Sequence, residues 1–129
     1  MLSDHNRGDF LFKDLTFKII GMAMEVHREL GFGFLEKVYE NALKVAFRLA
    51  GVKAEQQVPI KVYFKSVVVG DYIADILVED KIILELKSQD KITDVHRAQT
   101  LNYLKATNHK VSLLLNFGKR SLEHERLIR

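Results

Sequence analysis

The segment Gly70–Asp90, GDYIADILVEDKIILELKSQD, limits the folds open to this chain more than any other. Asp75 interrupts one apolar run, Glu79-Asp80-Lys81 breaks the pattern, and Glu85 and Lys87 sit inside a second apolar run. Both runs alternate, are rich in Ile, Leu and Val and have strand length, so they read as a β-hairpin. A three-residue turn centred on Asp80 puts Asp75 opposite Glu85 and, by the period of two, sets Asp75, Glu85 and Lys87 on one face. The other face then carries Ala74, Ile76, Val78, Ile82, Leu84 and Leu86 without a break. A two-residue turn would set Asp75 against Leu86 and mix the faces, so the hydrophobic pattern selects the longer turn. Adjacent carboxylates repel, which raises one pKa unless a cation offsets the charge. Two carboxylates and an ammonium anchored on strands suit a hard divalent ion such as Mg2+ beside a phosphate. The same charges also suit a solvated hairpin with one cross-strand pair, such as Asp75 with Lys87.

The flanking sequence supplies helices and further strands. Asp14 to Leu30 has helical spacing, with Asp14 or Thr16 as its cap, Ile19, Ala23, Val26, His27 and Leu30 as its buried stripe and Gly31 as its stop. His27 reads as a hydrogen-bonded helix histidine, because no second ligand is spaced to join it. Phe34 to Ala50 is a second helix with a stripe of Leu35, Val38, Ala42, Val45, Ala46 and Leu49. Glu36 lies in its first turn, where the helix field favours a carboxylate, and Glu40 one turn on has Lys44 as its obvious partner. Val58, Ile60, Val62 and Phe64 alternate as a strand that turns at Lys65-Ser66 and leads through Val67-Val68-Val69 into the hairpin, bending at Gly70. Pro59 places that strand at an edge or a start. Thr93 or Asp94 caps a helix from Val95 to Thr107 with Val95, Ala98, Leu101 and Leu104 inward, and with His96, Gln99 and Tyr103 on a neighbouring polar stripe. Val111 to Phe117 is a buried strand that joins parallel through that helical crossover. Gly118 to Arg129 reads as a charged, solvated tail, and residues 1–13 as loosely packed.

The 129 residues suffice for one domain with a real core, and 47% apolar against 29% charged composition marks an ordinary globular chain. With no cysteine, disulfides, thiolate catalysis and thiolate metal sites are excluded. No leader and no apolar run of about 18 residues is visible, so a cytoplasmic protein without a membrane span is expected. A formal charge of +3 is compatible with nucleic acid but does not select it. The expected fold class is α/β: a three-strand antiparallel meander, a strand added through a helical crossover, and helices on both faces.

Several separated motifs, in order, carry a resemblance. Gly33-Phe34-Leu35-Glu36-Lys37-Val38-Tyr39, the segment Met24 to Gly31, Leu101-Asn102-Tyr103-Leu104, and Leu114-Leu115-Asn116-Phe117-Gly118 resemble the small bacterial and archaeal proteins named for a GxxExxY signature, over nearly the whole chain. That family is grouped with the PD-(D/E)XK nuclease-like superfamily, which implies a restriction-endonuclease-like core. By this resemblance Asp75 stands for the aspartate of the PD motif, although Ala74 replaces its proline. Glu85 and Lys87 stand for the (D/E)XK pair and Gln99 for the glutamine of the following helix. Glu36 stands for a helix carboxylate, with Glu40 as the substitute.

The resemblance implies metal-assisted phosphodiester hydrolysis. Asp75, Glu85, the Leu86 carbonyl and Glu36 would hold Mg2+ or Mn2+, and Lys87 would orient or deprotonate the attacking water or offset the developing charge. Gln99, Tyr39 and Tyr103 would contact the substrate or support the site. The partner is nucleic acid of unstated sugar and structure. Two other readings stay open: an inactive binding module on the same fold, and an assembly protein, a homodimer included.

Overall fold

The computed structural model describes residues 11–129. In chain order the elements are α1 (Lys13–Leu30), α2 (Glu36–Leu49), β1 (Ala54–Phe64), β2 (Val67–Val78), β3 (Ile82–Lys87), α3 (Asp94–Thr107), β4 (Val111–Asn116) and β5 (Glu123–Ile128). The five strands form one sheet in sequence order, antiparallel except for β3 and β4. That parallel pair is the product of the α3 crossover, since two parallel neighbours need a long connection. Helices α1 and α2 cover one face, where Ile19, Ala23, Tyr39, Leu43 and Phe47 meet Ile76, Leu84, Leu86, Leu113 and Leu115. Helix α3 covers the other, where Tyr103 and Leu104 meet Ile60, Ala74, Leu77 and Ile83. The sheet is thus a mixed, mostly antiparallel α/β core of restriction-endonuclease-like architecture. Among the described residues, no helix is long and apolar enough to cross a membrane.

The β2–β3 turn has three residues, as the hydrophobic pattern requires. Val78 pairs with Ile82, Leu77 with Ile83 and Ile76 with Leu84. Glu79 and Asp80 both take positive φ (52° and 58°), and the Lys81 N–H donates to the Val78 carbonyl at 2.9 Å. Left-handed backbone at both central positions matches the twist of the flanking strands. The β1–β2 turn repeats the device with Lys65 and Ser66 at φ 50° and 67°. Near Gly70 the register shifts between Val62 and Tyr63, so the expected bend is a β-bulge.

Several packing assignments read from spacing are corrected. On α2 the buried side chains are Tyr39, Glu40, Leu43 and Phe47, whereas Leu35, Val38, Val45 and Leu49 face outward. Two stripes of helical spacing coexist there, and the one with the aromatic rings removes more apolar surface from water. On α3 the buried residues are Thr100, Tyr103 and Leu104, while Val95 and Leu101 are exposed. The threonines are tolerated inward because Thr100 and Thr107 donate their hydroxyls to the His96 and Tyr103 carbonyls, each at 2.8 Å. Neither Asp14 nor Thr16 caps α1: no side chain does, and Thr16 is buried. Ala74 packs with the α3 cluster and not with Ile76, because β1 and β2 lose regularity between Gln56↔Ile76 and Val58↔Ala74, where Gln57 has φ 56°.

The charged tail is corrected as well. Glu123–Ile128 is an edge strand antiparallel to β4, and its charges are used. Glu125 binds the Arg97 Nε–H at 2.6 Å, and Glu123 accepts from the Ile92 N–H and the Asn116 amide, each at 3.0 Å. Alternating charge suits an edge strand, which needs only one apolar neighbour. Of residues 1–13, residues 1–10 lie outside the described ones, while Leu11 and Phe12 are half-buried against the core and Lys13 opens α1.

Candidate active site

The site is built where β2 and β3 part company. Their ladder runs from Val78↔Ile82 to Ile76↔Leu84, and at the next step Asp75 accepts the Leu86 backbone N–H on Oδ2 at 2.7 Å. A side-chain carboxylate therefore receives a strand N–H that lies beyond the ladder's last pair. Asp75 is half-buried, and its carboxyl is pushed above the usual range chiefly by burial, with the charges of Glu40 and Glu36 adding; the Leu86 N–H and Lys87 oppose the rise.

Glu85 is only 5% exposed, and its Oε1 has no hydrogen-bond partner. Its carboxyl is pushed up to about 8, first by burial and then by the charge of Asp75, while Lys87 and the Asp75 backbone N–H work against the shift. A buried carboxyl with one oxygen unpartnered, beside a second carboxyl, favours its neutral form, because burial and the neighbouring charge both disfavour the anion. Lys87, half-buried at the end of β3, supplies part of the charge that opposes this.

The helix residues divide. Glu36 is exposed at the start of α2, and its charge acts on both Asp75 and Glu85, so the fold brings it to the rim of the site. It does not complete a cluster: among the described residues no three His, Cys, Asp or Glu side chains are grouped to hold a metal ion. Glu40 has no oxygen to spare. Lys37 (2.9 Å) and Gln56 (2.6 Å) donate to Oε2, and Gln57 (2.7 Å) donates to Oε1. Its expected partner Lys44 instead donates to the Ala54 carbonyl.

Tyr39, expected to touch substrate, is fully buried and cannot. Its ring stacks on Phe117 with centroids 4.5 Å apart; its hydroxyl donates to the Gly31 carbonyl at 2.6 Å and accepts the Phe34 N–H at 3.2 Å. It pins the Gly31–Phe34 turn that sets Glu36 in place. Tyr39→Phe is expected to lower stability by about 1–2 kcal/mol in urea unfolding, since both turn groups lose a partner; an unchanged midpoint would contradict this role. Tyr103 lies against Tyr72, and its hydroxyl is pushed up to about 12 by burial and by the charges of Glu85, Tyr72 and Asp75, so its ring borders the carboxylates. Gln99, one turn earlier on α3, is half-buried. His27, as expected, is a structural histidine, bonded through Nε2 to the Lys119 carbonyl at 2.7 Å.

A model of the PD-(D/E)XK nuclease superfamily matches residues 13–127. The chain belongs to that superfamily. No curated protein matches its sequence. Among solved structures, the crystal structure of SSO0001 aligns at a TM-score of 0.56 and 17% identity, covering 72% of this chain and 49% of that one. The chain thus spans about half of that protein, and the likeness is one of fold. An alkaline exonuclease from Laribacter hongkongensis aligns at a TM-score of 0.48 and 14% identity, over 84% of this chain and 67% of that one.

In this PD-(D/E)XK chain the loop after Lys87 is held by residues that spacing does not reveal. Buried Asn116 accepts the Gln89 and Gly118 N–H groups at 3.0 Å each and donates to the Gln89 carbonyl at 2.9 Å and to Glu123 at 3.0 Å. Gly118 lies so close to the loop that a Cβ there would come within 2.3 Å of the Gln89 backbone N and O. The Asn116-Phe117-Gly118 motif was the one available signal for this clamp.

Proposed function

We propose that the chain hydrolyses phosphodiester bonds of nucleic acid with Mg2+ or Mn2+, as a member of the GxxExxY group within the superfamily. One observation carries this reading: the unpartnered Glu85 Oε1, buried beside Asp75, with both carboxyls held above their ordinary range. The donor set fits a small hard cation, which commonly takes one or two protein carboxylates and fills its remaining positions with water and substrate phosphate. Asp75 and Glu85 would hold the ion, with the carbonyl of Leu86, the residue after Glu85, and with Glu36 acting through water. When bound, the ion lowers the pKa of a water and polarises the phosphate. Lys87 orients the attacking water and offsets the charge that builds on the phosphate oxygens as the bond to the leaving oxygen breaks. Tyr103, on which Glu85 and Asp75 act, would contact the substrate, with Gln99 one turn earlier on α3 as a further contact.

The test is calorimetric titration of Mg2+ and Mn2+ into wild type and Asp75→Asn, with linear, single-stranded and branched DNA and RNA present. Affinity is expected to fall at least about tenfold in the variant, with loss of cleavage and an unchanged circular dichroism spectrum. Equal metal binding by both proteins would move the ion away from the hairpin. Wild type that binds nucleic acid but no metal would be an inactive binding module on this fold.

A further inference from the structure

We infer that His96 donates its Nε2–H to a phosphate oxygen of the substrate, beside Lys87; this rests on the phosphodiester reading above. His96 is the third residue of α3, and its backbone N–H donates to Thr93 Oγ1 at 3.3 Å. Its ring Nδ1 accepts the Thr93 N–H at 3.1 Å. This is a capping box in which an imidazole stands where glutamate or glutamine usually does. The substitution has a chemical consequence. An Nδ1 that accepts a hydrogen bond keeps its lone pair, so in the neutral ring the proton sits on Nε2. The second nitrogen is then a donor only, able neither to ligate a metal nor to take a proton while the cap is closed.

The surroundings say what that donor meets. Lys87 from β3 and Glu36 from α2 are the leading charges acting on the half-buried ring, followed by Arg97 on α3 and Glu123 on β5. Lys87 and Glu36 are also charges that act on Asp75 and Glu85, so the first turn of α3 and the two carboxyls share these two charged neighbours. Its Nε2–H has no partner among the described residues. An anionic oxygen between Nε2 and the Lys87 ammonium would satisfy both donors. A neutral N–H is suited to a site already lined by carboxylates, because it binds one phosphate oxygen without being drawn into a fixed ion pair with Glu36.

Two variants separate this role from simple capping. His96→Gln and His96→Glu both close the box with Thr93, so both are expected to keep the wild-type thermal midpoint. Only glutamine retains an N–H donor. With Ca2+ present and short DNA and RNA oligonucleotides of one sequence as probes, His96→Gln is expected to bind within about twofold of wild type, and His96→Glu about tenfold or more weakly. In the wild type, nitrogen-detected nuclear magnetic resonance is expected to place the His96 proton on Nε2 and to show that resonance shifting when an oligonucleotide is added. Equal binding by all three proteins, or a proton on Nδ1, overturns the inference and leaves the functional reading standing. Wild type that binds neither oligonucleotide overturns both.

Discussion

Glu85→Gln is expected to be more stable than wild type at pH 9 and to lose turnover by at least about a thousandfold. The stability effect follows from the site's own electrostatics. Unfolded, the Glu85 carboxyl titrates near 4.5; folded, it is pushed up to about 8. Between those values the native state holds a proton that the unfolded chain has lost, so stability falls as pH rises through the window and stays low above it. The raised Asp75 carboxyl acts in the same direction. Glutamine is isosteric with the protonated acid and never ionises. The difference between variant and wild type should therefore be near zero at about pH 5 and reach a few kcal/mol by about pH 9. Urea unfolding across that range measures it, and a parallel pH dependence for the two proteins would show that the carboxyl is not held protonated. Mg2+ selects the ionised form, so it should restore alkaline stability to wild type and leave the variant unchanged.

Asn116→Ala is expected to lower stability by about 3–4 kcal/mol, with the loop after Lys87 as the element released. Asn116 is fully buried and uses its amide on both the N–H and the carbonyl of Gln89, on the Gly118 N–H and on Glu123. Alanine leaves these groups without a partner. Gln89 is two residues from Lys87, so turnover should fall beyond what the unfolded fraction explains. Glu123 should lose its leading stabiliser as well, since the Asn116 amide is the first cause of its lowered pKa. Gly118→Ala should act in the same direction, because its Cβ would meet the Gln89 backbone at 2.3 Å. Chemical denaturation of both variants tests the clamp; a loss below about 1 kcal/mol in Asn116→Ala would place the loop's anchor elsewhere.

The residues readable in advance were those whose environment is set by near neighbours in the chain. The hairpin register from Val78↔Ile82 to Ile76↔Leu84, a cap at Thr93 or Asp94 and the buried run Leu113-Leu114-Leu115 each follow from a few consecutive residues. Residues whose role depends on a distant partner were not readable. Glu40 looked like one half of an i,i+4 pair with Lys44, yet Gln56 and Gln57 of β1 claim both its oxygens. Tyr39 looked like a substrate contact, yet Phe117, far along the chain, stacks on it. The final strand looked like a solvated tail because its glutamates find Arg97, Ile92 and Asn116 only after α3 and β4 are in place.

The sequence by itself determined the placement of Asp75, Glu85 and Lys87 around a three-residue turn, because strand alternation and turn length are local quantities that a one-residue slip would visibly spoil. Only the tertiary structure decided what those residues experience. Asp75 accepts the Leu86 N–H beyond the last paired residues of β2 and β3, and the packed fold buries Glu85 with one oxygen unpartnered. Glu36 on α2 and Lys87 on β3 act electrostatically on both Glu85 and the His96 ring. Burial and electrostatic field are sums over the whole packed chain, and no window of neighbouring residues contains them.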